Sequence, residues 1–283
     1  MSYSKTKYDA EKKIWSGPNS APIYNEDVSV GQVLYYEMTK LPYNHVLLIS
    51  ADDGKKYTVE EILSKSIRIA VNLKTIYNLC QNDVIGVMSG NSANVMGLLY
   101  ACLYNGTPIN ALDSSFSVKD VVHIWSKTRP KIVFCEENCI SVVQKSLKKI
   151  GLNSPIITLD SSSQSTDSIE NLLQPFSHPQ FEFFFQPSDL VEGGKQTATI
   201  LTSSGTSGPP KSVCLSHRDI LTWFKSRGFS QRDTALNYST LFWVSGLTTY
   251  LNAGILGCSM VATKKPFSPR SCLAIIEKYK VNA

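Results

Sequence analysis

The feature that most constrains this chain is an alternation of short apolar runs with helical stretches between residues 84 and 159. Val84-Ile85-Gly86-Val87-Met88 reads as a buried strand, Ser89-Gly90-Asn91-Ser92 as a turn and cap, and Val95 to Leu103 as a helix apolar almost all round. Asn105-Gly106-Thr107 ends that helix, and Pro108 to Leu112 forms a second strand. A helix over Ser117 to Lys127, a strand at Ile132 to Cys135, a helix over Cys139 to Ile150 and a strand at Ile156 to Leu159 follow. Strands that alternate with helices at this spacing specify βαβ units, hence an α/β fold with mostly parallel sheets.

Upstream, Val46 to Ile49 is an apolar run followed by the turn-type sequence Asp52-Asp53-Gly54-Lys55, with Lys56-Tyr57-Thr58 as the returning strand. Thr58 and Glu61 fit a capping box, opening a helix to about Leu79 with Ile62, Ile69, Leu73 and Ile76 on its apolar face. Residues 1–25 read as an irregular lead-in. Downstream, Asp160 to Ser168 is a serine-rich polar break, and Phe181 to Phe185 is expected to be a strand rather than the wall of a hydrophobic pocket. Ser216-His217-Arg218-Asp219 opens a helix through about Phe224, and Leu241 to Leu247 leads into a helix to about Ala253. Gly254 to Val261 reads as a turn and a strand. Pro269 to Lys280 reads as a helix with Leu273 and Ile276 packed inward, and Val281-Asn282-Ala283 as the start of a strand. The expected division is the lead-in, a first α/β subdomain over 26–190, and the start of a second over 191–283.

Near the start of the second subdomain lies Thr202-Ser203-Ser204-Gly205-Thr206-Ser207-Gly208-Pro209-Pro210-Lys211, directly after the apolar lead Thr199-Ile200-Leu201. Ser/Thr/Gly runs are commonly plain loops. This one has the makings of a phosphate cradle: glycines turn backbone N–H groups toward an anion, hydroxyls donate to oxygens, and Lys211 supplies a point charge. A Walker A loop counted from Gly205 requires glycine at 210, where Pro210 stands, so a P-loop NTPase is disfavoured.

Composition sets the outer bounds. Of 283 residues, 42% are hydrophobic and 18% charged, which is globular rather than disordered. The net charge of +5 is scattered, which argues against a nucleic-acid surface and suits an anionic small molecule. The seven cysteines sit singly in mostly apolar surroundings; Cys135 and Cys139 are close, but nothing completes a zinc site, so they read as reduced thiols of an intracellular protein. The first residues lack a signal-peptide core, and the run from Val95 to Tyr104 is too short to span a bilayer. Nothing in the sequence sets an oligomeric state.

The stretch from Ser203 to Lys211 resembles the AMP-binding signature of the adenylate-forming superfamily of acyl-CoA synthetases, coumarate–CoA ligases and beetle luciferases. Ser212, where the family usually has glycine, and Pro209 before Pro210 depart from it. The likeness extends to Asp83 through Val87 with Asn91-Ser92, to the helix from Val95 with Asn105-Gly106-Thr107-Pro108, to Pro130 through Phe134, and to His217-Arg218 after Leu215-Ser216. From about residue 20 onward the chain resembles the N-terminal half of such an enzyme, and Phe242-Trp243-Val244-Ser245-Gly246 is most similar to the insect luciferase-like acyl-CoA synthetases.

The resemblance implies a two-step reaction. A carboxylate, a fatty acid by subgroup, attacks the α-phosphate of Mg2+-bound ATP to give an acyl-adenylate and pyrophosphate; the thiol of coenzyme A then displaces AMP. It implies that Thr202, Ser203, Ser204, Gly205, Thr206, Ser207, Gly208 and Lys211 bind the ATP phosphates. Trp243 stands where many relatives place a histidine beside the carboxylate; it offers one N–H donor and no base. Ser245 and Thr249, one helical turn apart, are the other acyl-pocket candidates, and ordinary helix-start roles explain them equally well. The family's Tyr-Gly-x-Thr-Glu and Thr-Gly-Asp stretches do not occur in these 283 residues. The expectation is therefore an incomplete N-terminal domain without the magnesium-binding glutamate, the C-terminal domain or its catalytic lysine, so no catalytic or metal-ligating residue is assigned. The alternative is an inactive protein that binds a nucleotide or acyl ligand. By resemblance the location is the peroxisome or cytoplasm, although Lys280-Val281-Asn282-Ala283 is no peroxisomal address.

Overall fold

Helix starts follow the caps written in the sequence. Ser29 with Gln32, Thr58 with Glu61, Ser117 with Asp120 and Ser216 with Asp219 each form a reciprocal capping box, in which both side chains satisfy orphan backbone N–H groups. In the computed structural model, which describes residues 6–17, 23–160, 167–175, 182–203, 210–225 and 228–283, these caps open α1 (Val30–Thr39), α2 (Val59–Tyr77), α4 (Val118–Thr128) and α6 (His217–Thr222). The remaining helices are α3 (Ala93–Asn105), α5 (Ile140–Ile150), α7 (Val244–Leu256) and α8 (Pro269–Tyr279).

The larger sheet contains β5 (Ile85–Met88), β6 (Ile109–Leu112), β7 (Ile132–Cys135), β8 (Ile156–Thr158), β9 (Asp167–Ser168), β10 (Thr197–Ser203) and β11 (Lys211–Ser216). Its order is β11-β10-β6-β5-β7-β8-β9, parallel throughout except for the antiparallel β10–β11 pair. The smaller sheet has the order β12-β13-β3-β4, from β12 (Thr234–Asn237), β13 (Ser259–Ala262), β3 (Val46–Ser50) and β4 (Lys56–Thr58). The expected α/β class with mostly parallel sheets is what the chain adopts.

Period-two alternation sorts the strand side chains onto two faces. Ile85, Val87, Ile132 and Phe134 join the main core with residues of α1, α2, α3 and α7, and Leu48, Met260 and Ala262 of the smaller sheet join the same cluster. Met88, Leu112, Val133 and Cys135 face the other way, onto Val121 and Trp125 of α4 and Val143 of α5. One helical layer therefore lies between the two sheets, and α4 with α5 covers the far side of the larger one. Two glycines allow the inner layer to close. A Cβ at Gly31 would lie 2.1 Å from the Leu103 carbonyl oxygen, and one at Gly254 would lie 2.2 Å from Leu34 Cδ1. Beyond the helices, Lys264, in the loop after β13, reaches Glu136 at 2.6 Å and Asp160 at 3.2 Å.

Several expectations need correction. The lead-in is not wholly irregular: β1 (Lys7–Asp9) and β2 (Ile14–Ser16) pair antiparallel, with Asp9 accepting the Glu11 and Lys12 N–H groups in the turn and Tyr8 stacked across from Trp15. The Phe-rich run is a turn at 182–184, not a strand, and Phe181 lies outside the described residues. Glu182 is drawn to Arg68 and Ser64 on α2; Phe185 packs on Tyr35 and Tyr104, leaving Phe183 82% and Phe184 72% exposed. The polar break ends in β9, with 161–166 outside the described residues. Gly254 continues α7, which stops at Gly257 in the left-handed conformation. Leu273 is 67% and Ile276 36% exposed, and α8 buries no residue. Val281 to Ala283 is not a strand, although the Asn282 and Ala283 N–H groups both donate to the Thr234 carbonyl. The sheets also do not divide at 190/191, because β10 and β11 join the larger sheet and β3 and β4 join β13.

Candidate functional site

The hydroxyl- and glycine-rich segment follows the end of β10 in the sequence and runs into β11. β10 is locked on both sides. It pairs in parallel with β6 and antiparallel with β11, through Thr202↔Ser212 and Ser203↔Lys211. Thr199 Oγ1 donates to the Ile109 carbonyl at 3.1 Å, and Asn110 Nδ2 donates to the Ile200 carbonyl at 2.9 Å. Asn110 is itself held by Thr128 of α4, whose hydroxyl donates to Asn110 Oδ1 at 2.9 Å. β10 thus ends in Ser203 at the carboxyl end of a buried strand, where open α/β sheets place their ligands.

Ser204, Gly205, Thr206, Ser207 and Gly208 lie outside the described residues. The stem is visible. Thr202 Oγ1 is buried and has no hydrogen-bond partner among the described residues. Ser203 is exposed, and its hydroxyl makes a long 3.5 Å contact to the Lys211 carbonyl. Lys211 is exposed, with no ion-pair partner among the described residues. A buried hydroxyl without a partner and an unpaired ammonium on one stem suit an incoming anion.

The acyl-pocket candidates sit at the start of α7. Trp243 is the N-cap residue and is 51% exposed. Its ring meets Phe242 edge-on at 5.0 Å, and Phe242 meets Phe116 at 5.1 Å. Phe116 belongs to the loop after β6, at the same sheet end as Ser203. This aromatic chain therefore ties the head of α7 to the sheet end at which Ser203 lies. Ser245 spends its hydroxyl on Ser239 at 2.9 Å, and Thr249 returns its own to the Ser245 carbonyl at 2.9 Å. Both have local structural duties.

Cys135 and Cys139, near this sheet end, are buried. Burial pushes the Cys135 thiol up to about 12 and that of Cys139 up to about 11. Among the described residues no group of three or more His, Cys, Asp or Glu side chains could hold a metal, and no helix is long and apolar enough to cross a membrane.

Sequence reasoning missed His123. Its Nε2 lies 2.9 Å from the Pro210 carbonyl oxygen at the exit of the loop, 87 residues away in the chain. A histidine in the middle of an amphipathic helix carries no local signal of such a contact.

A largely parallel sheet with an antiparallel β10–β11 edge pair fits a nucleotide-binding α/β fold. Comparison with known families agrees: residues 36–283 match the AMP-binding enzyme family, and the chain belongs to it. It is 26% identical over 287 residues to a luciferin 4-monooxygenase of Photuris pensylvanica, covering 96% of this chain and 52% of that protein. It is 23% identical to a probable 4-coumarate–CoA ligase 1 of Dictyostelium discoideum, covering 84% of this chain and 46% of that one. Among solved structures, the luciferase-like enzyme of the nonluminescent mealworm Zophobas morio superposes with a TM-score of 0.83 at 28% identity, covering 93% of this chain and 60% of that one. The chain thus spans about half the length of the curated relatives it matches.

Proposed function

We propose that this chain supplies the ATP-phosphate site of an acid-activating, adenylate-forming ligase. The observation that carries the reading is the β10–β11 stem, which ends a buried parallel strand in Ser203 and returns at Lys211, exposed and without an ion-pair partner among the described residues. In this reading residues 202–208 and Lys211 hold the β- and γ-phosphates of Mg2+-bound ATP. A carboxylic acid, with its tail toward Trp243, Ser245 and Thr249, attacks the α-phosphate to give acyl-adenylate and pyrophosphate, and coenzyme A then takes the acyl group. The protein contributes position and charge neutralisation rather than covalent chemistry. The aromatic surroundings of Trp243 favour an acid with an apolar tail, of which fatty acids are the simplest class.

The 283 residues by themselves are expected to bind polyphosphate without forming acyl-CoA. Calorimetric titration with ATP should give saturable binding that Lys211→Ala weakens about tenfold or more, the loss of one charge-assisted contact. Equal affinity in the two forms would refute the assignment of Lys211. Pyrophosphate release with a panel of fatty acids would show instead that the chain is competent for the first step. Hydrolysis of ATP with no acid present would favour a different class of nucleotide enzyme.

A further inference from the structure

We propose that His123 is a positioning residue for the phosphate loop, its imidazole holding the carbonyl of Pro210 and thereby setting the main chain that leads into Lys211. The inference rests on the reading of 202–211 as the phosphate loop and assigns it a support on a different element.

The contact is 2.9 Å from Nε2 to the Pro210 carbonyl oxygen. A carbonyl can only accept, so this hydrogen bond requires the tautomer with its hydrogen on Nε2. Lys127 Nζ lies 3.3 Å from the same nitrogen. The ammonium is also a donor, so in that tautomer it cannot share the N–H. Proline has no N–H, and its carbonyl is the one polar main-chain group it offers. Fixing that carbonyl fixes the plane of the Pro210–Lys211 peptide and with it the start of β11.

The support is rigid. α4 is capped at its head by Ser117 and Asp120, and it buries Val121, Ile124 and Trp125 almost completely. The same helix holds the other strand of the hairpin: Thr128, five residues after His123, binds Asn110, which binds the Ile200 carbonyl. α4 therefore grips the stem on both strands, through Ile200 on the way in and Pro210 on the way out. A lysine on a flexible stem recognises phosphate well only if its backbone is placed in advance, because ordering the segment on binding would subtract from affinity.

The test uses the full 283-residue chain, with tripolyphosphate and ATP as probes in calorimetric titrations over a salt series. His123→Ala should weaken both ligands about three- to tenfold, the worth of one hydrogen bond. His123→Gln, which keeps an N–H donor of similar reach, should recover most of the loss. The slope of affinity against salt should stay that of the unsubstituted chain in His123→Ala and fall in Lys211→Ala, since only the lysine meets the anion with charge. Unchanged affinity in His123→Ala, with affinity lost in Lys211→Ala, would overturn this inference and leave the phosphate-loop reading standing. A reduced salt slope in His123→Ala would also overturn it, by making His123 a direct ligand. Failure of His123→Gln to recover binding, together with a lowered melting temperature in both His123 variants, would reduce the residue to a structural one. An unsubstituted chain that binds no tripolyphosphate would overturn the phosphate-loop reading and this inference with it.

Discussion

His217 uses one ring nitrogen and strands the other. The N–H of Val30, at the head of α1, donates to its Nδ1 at 3.1 Å, while Nε2 is buried without a partner among the described residues. Burial pushes its pKa from 6.5 down to about 4, since a charged imidazolium would have to be desolvated. The unfolded chain therefore takes up this proton near pH 6.5 and the folded chain only near pH 4. Stability is complete above pH 6.5 and declines as pH falls toward 4, by about 3 kcal/mol in all. Urea unfolding at pH 7.5, 5.5 and 4.0 should show this loss in the unsubstituted chain and a smaller one in His217→Gln; identical pH profiles would refute it. From sequence, Ser216-His217 is legible as a helix start because capping is local. The Val30 contact joins residues 187 positions apart, and no local pattern encodes it.

Among elements, the crossing of α1 with α3 and α7 depends on missing side chains. Gly31 brings the backbone of α1 against the end of α3, and Gly254 admits Leu34 and the Tyr100 hydroxyl. Gly31→Ala should cost about 3 kcal/mol, because the Leu103 backbone cannot yield as a side chain would. Chemical denaturation would measure it, and a cost below about 0.5 kcal/mol would mean that the helices can slide apart. The strands and helices between residues 84 and 159 were legible because their apolar periods and caps lie within each element. The Phe-rich turn was not. Its fate was decided by Arg68 and Ser64, more than 100 residues away, which hold Glu182 and leave two phenylalanines in solvent. The hydroxyl- and glycine-rich character of 202–211 was plain from the residues alone, while the contact of Pro210 with His123 on α4 was not, since His123 has nothing around it in sequence to mark its partner.

For the molecule as a whole, α8 is weakly integrated, since it buries no residue. Leu273, Ile276 and the nearby Phe267 are bare, and β12 at the edge of the smaller sheet is met by Asn282 and Ala283 only at Thr234. Such surface promotes self-association. Leu273→Glu with Ile276→Glu should leave the melting temperature within about 2 °C, since neither side chain is buried, and should lower light scattering at high concentration. A large fall in melting temperature would place the helix in the core after all. Apolar periodicity showed that α8 has an oily face, but what covers such a face is a property of the assembly. The mixing of the sheets was hidden for a related reason: strand order is set by packing between distant segments.

That mixing has a consequence for how the chain is made. Ser50 in β3 pairs with Ala262 in β13, more than 200 residues later. At a synthesis rate of about 5–20 residues per second, the β3–β4 hairpin must wait roughly 10–40 s on the ribosome for its partner strand. During that interval Leu47, Leu48 and Ile49 have no sheet to join, and chaperones that capture extended apolar segments should find them there. Nascent chains arrested near residue 240 should be cut by protease around residues 46–58, and chains released after 283 should be protected; early protection would mean that the hairpin docks on the helices before its sheet exists.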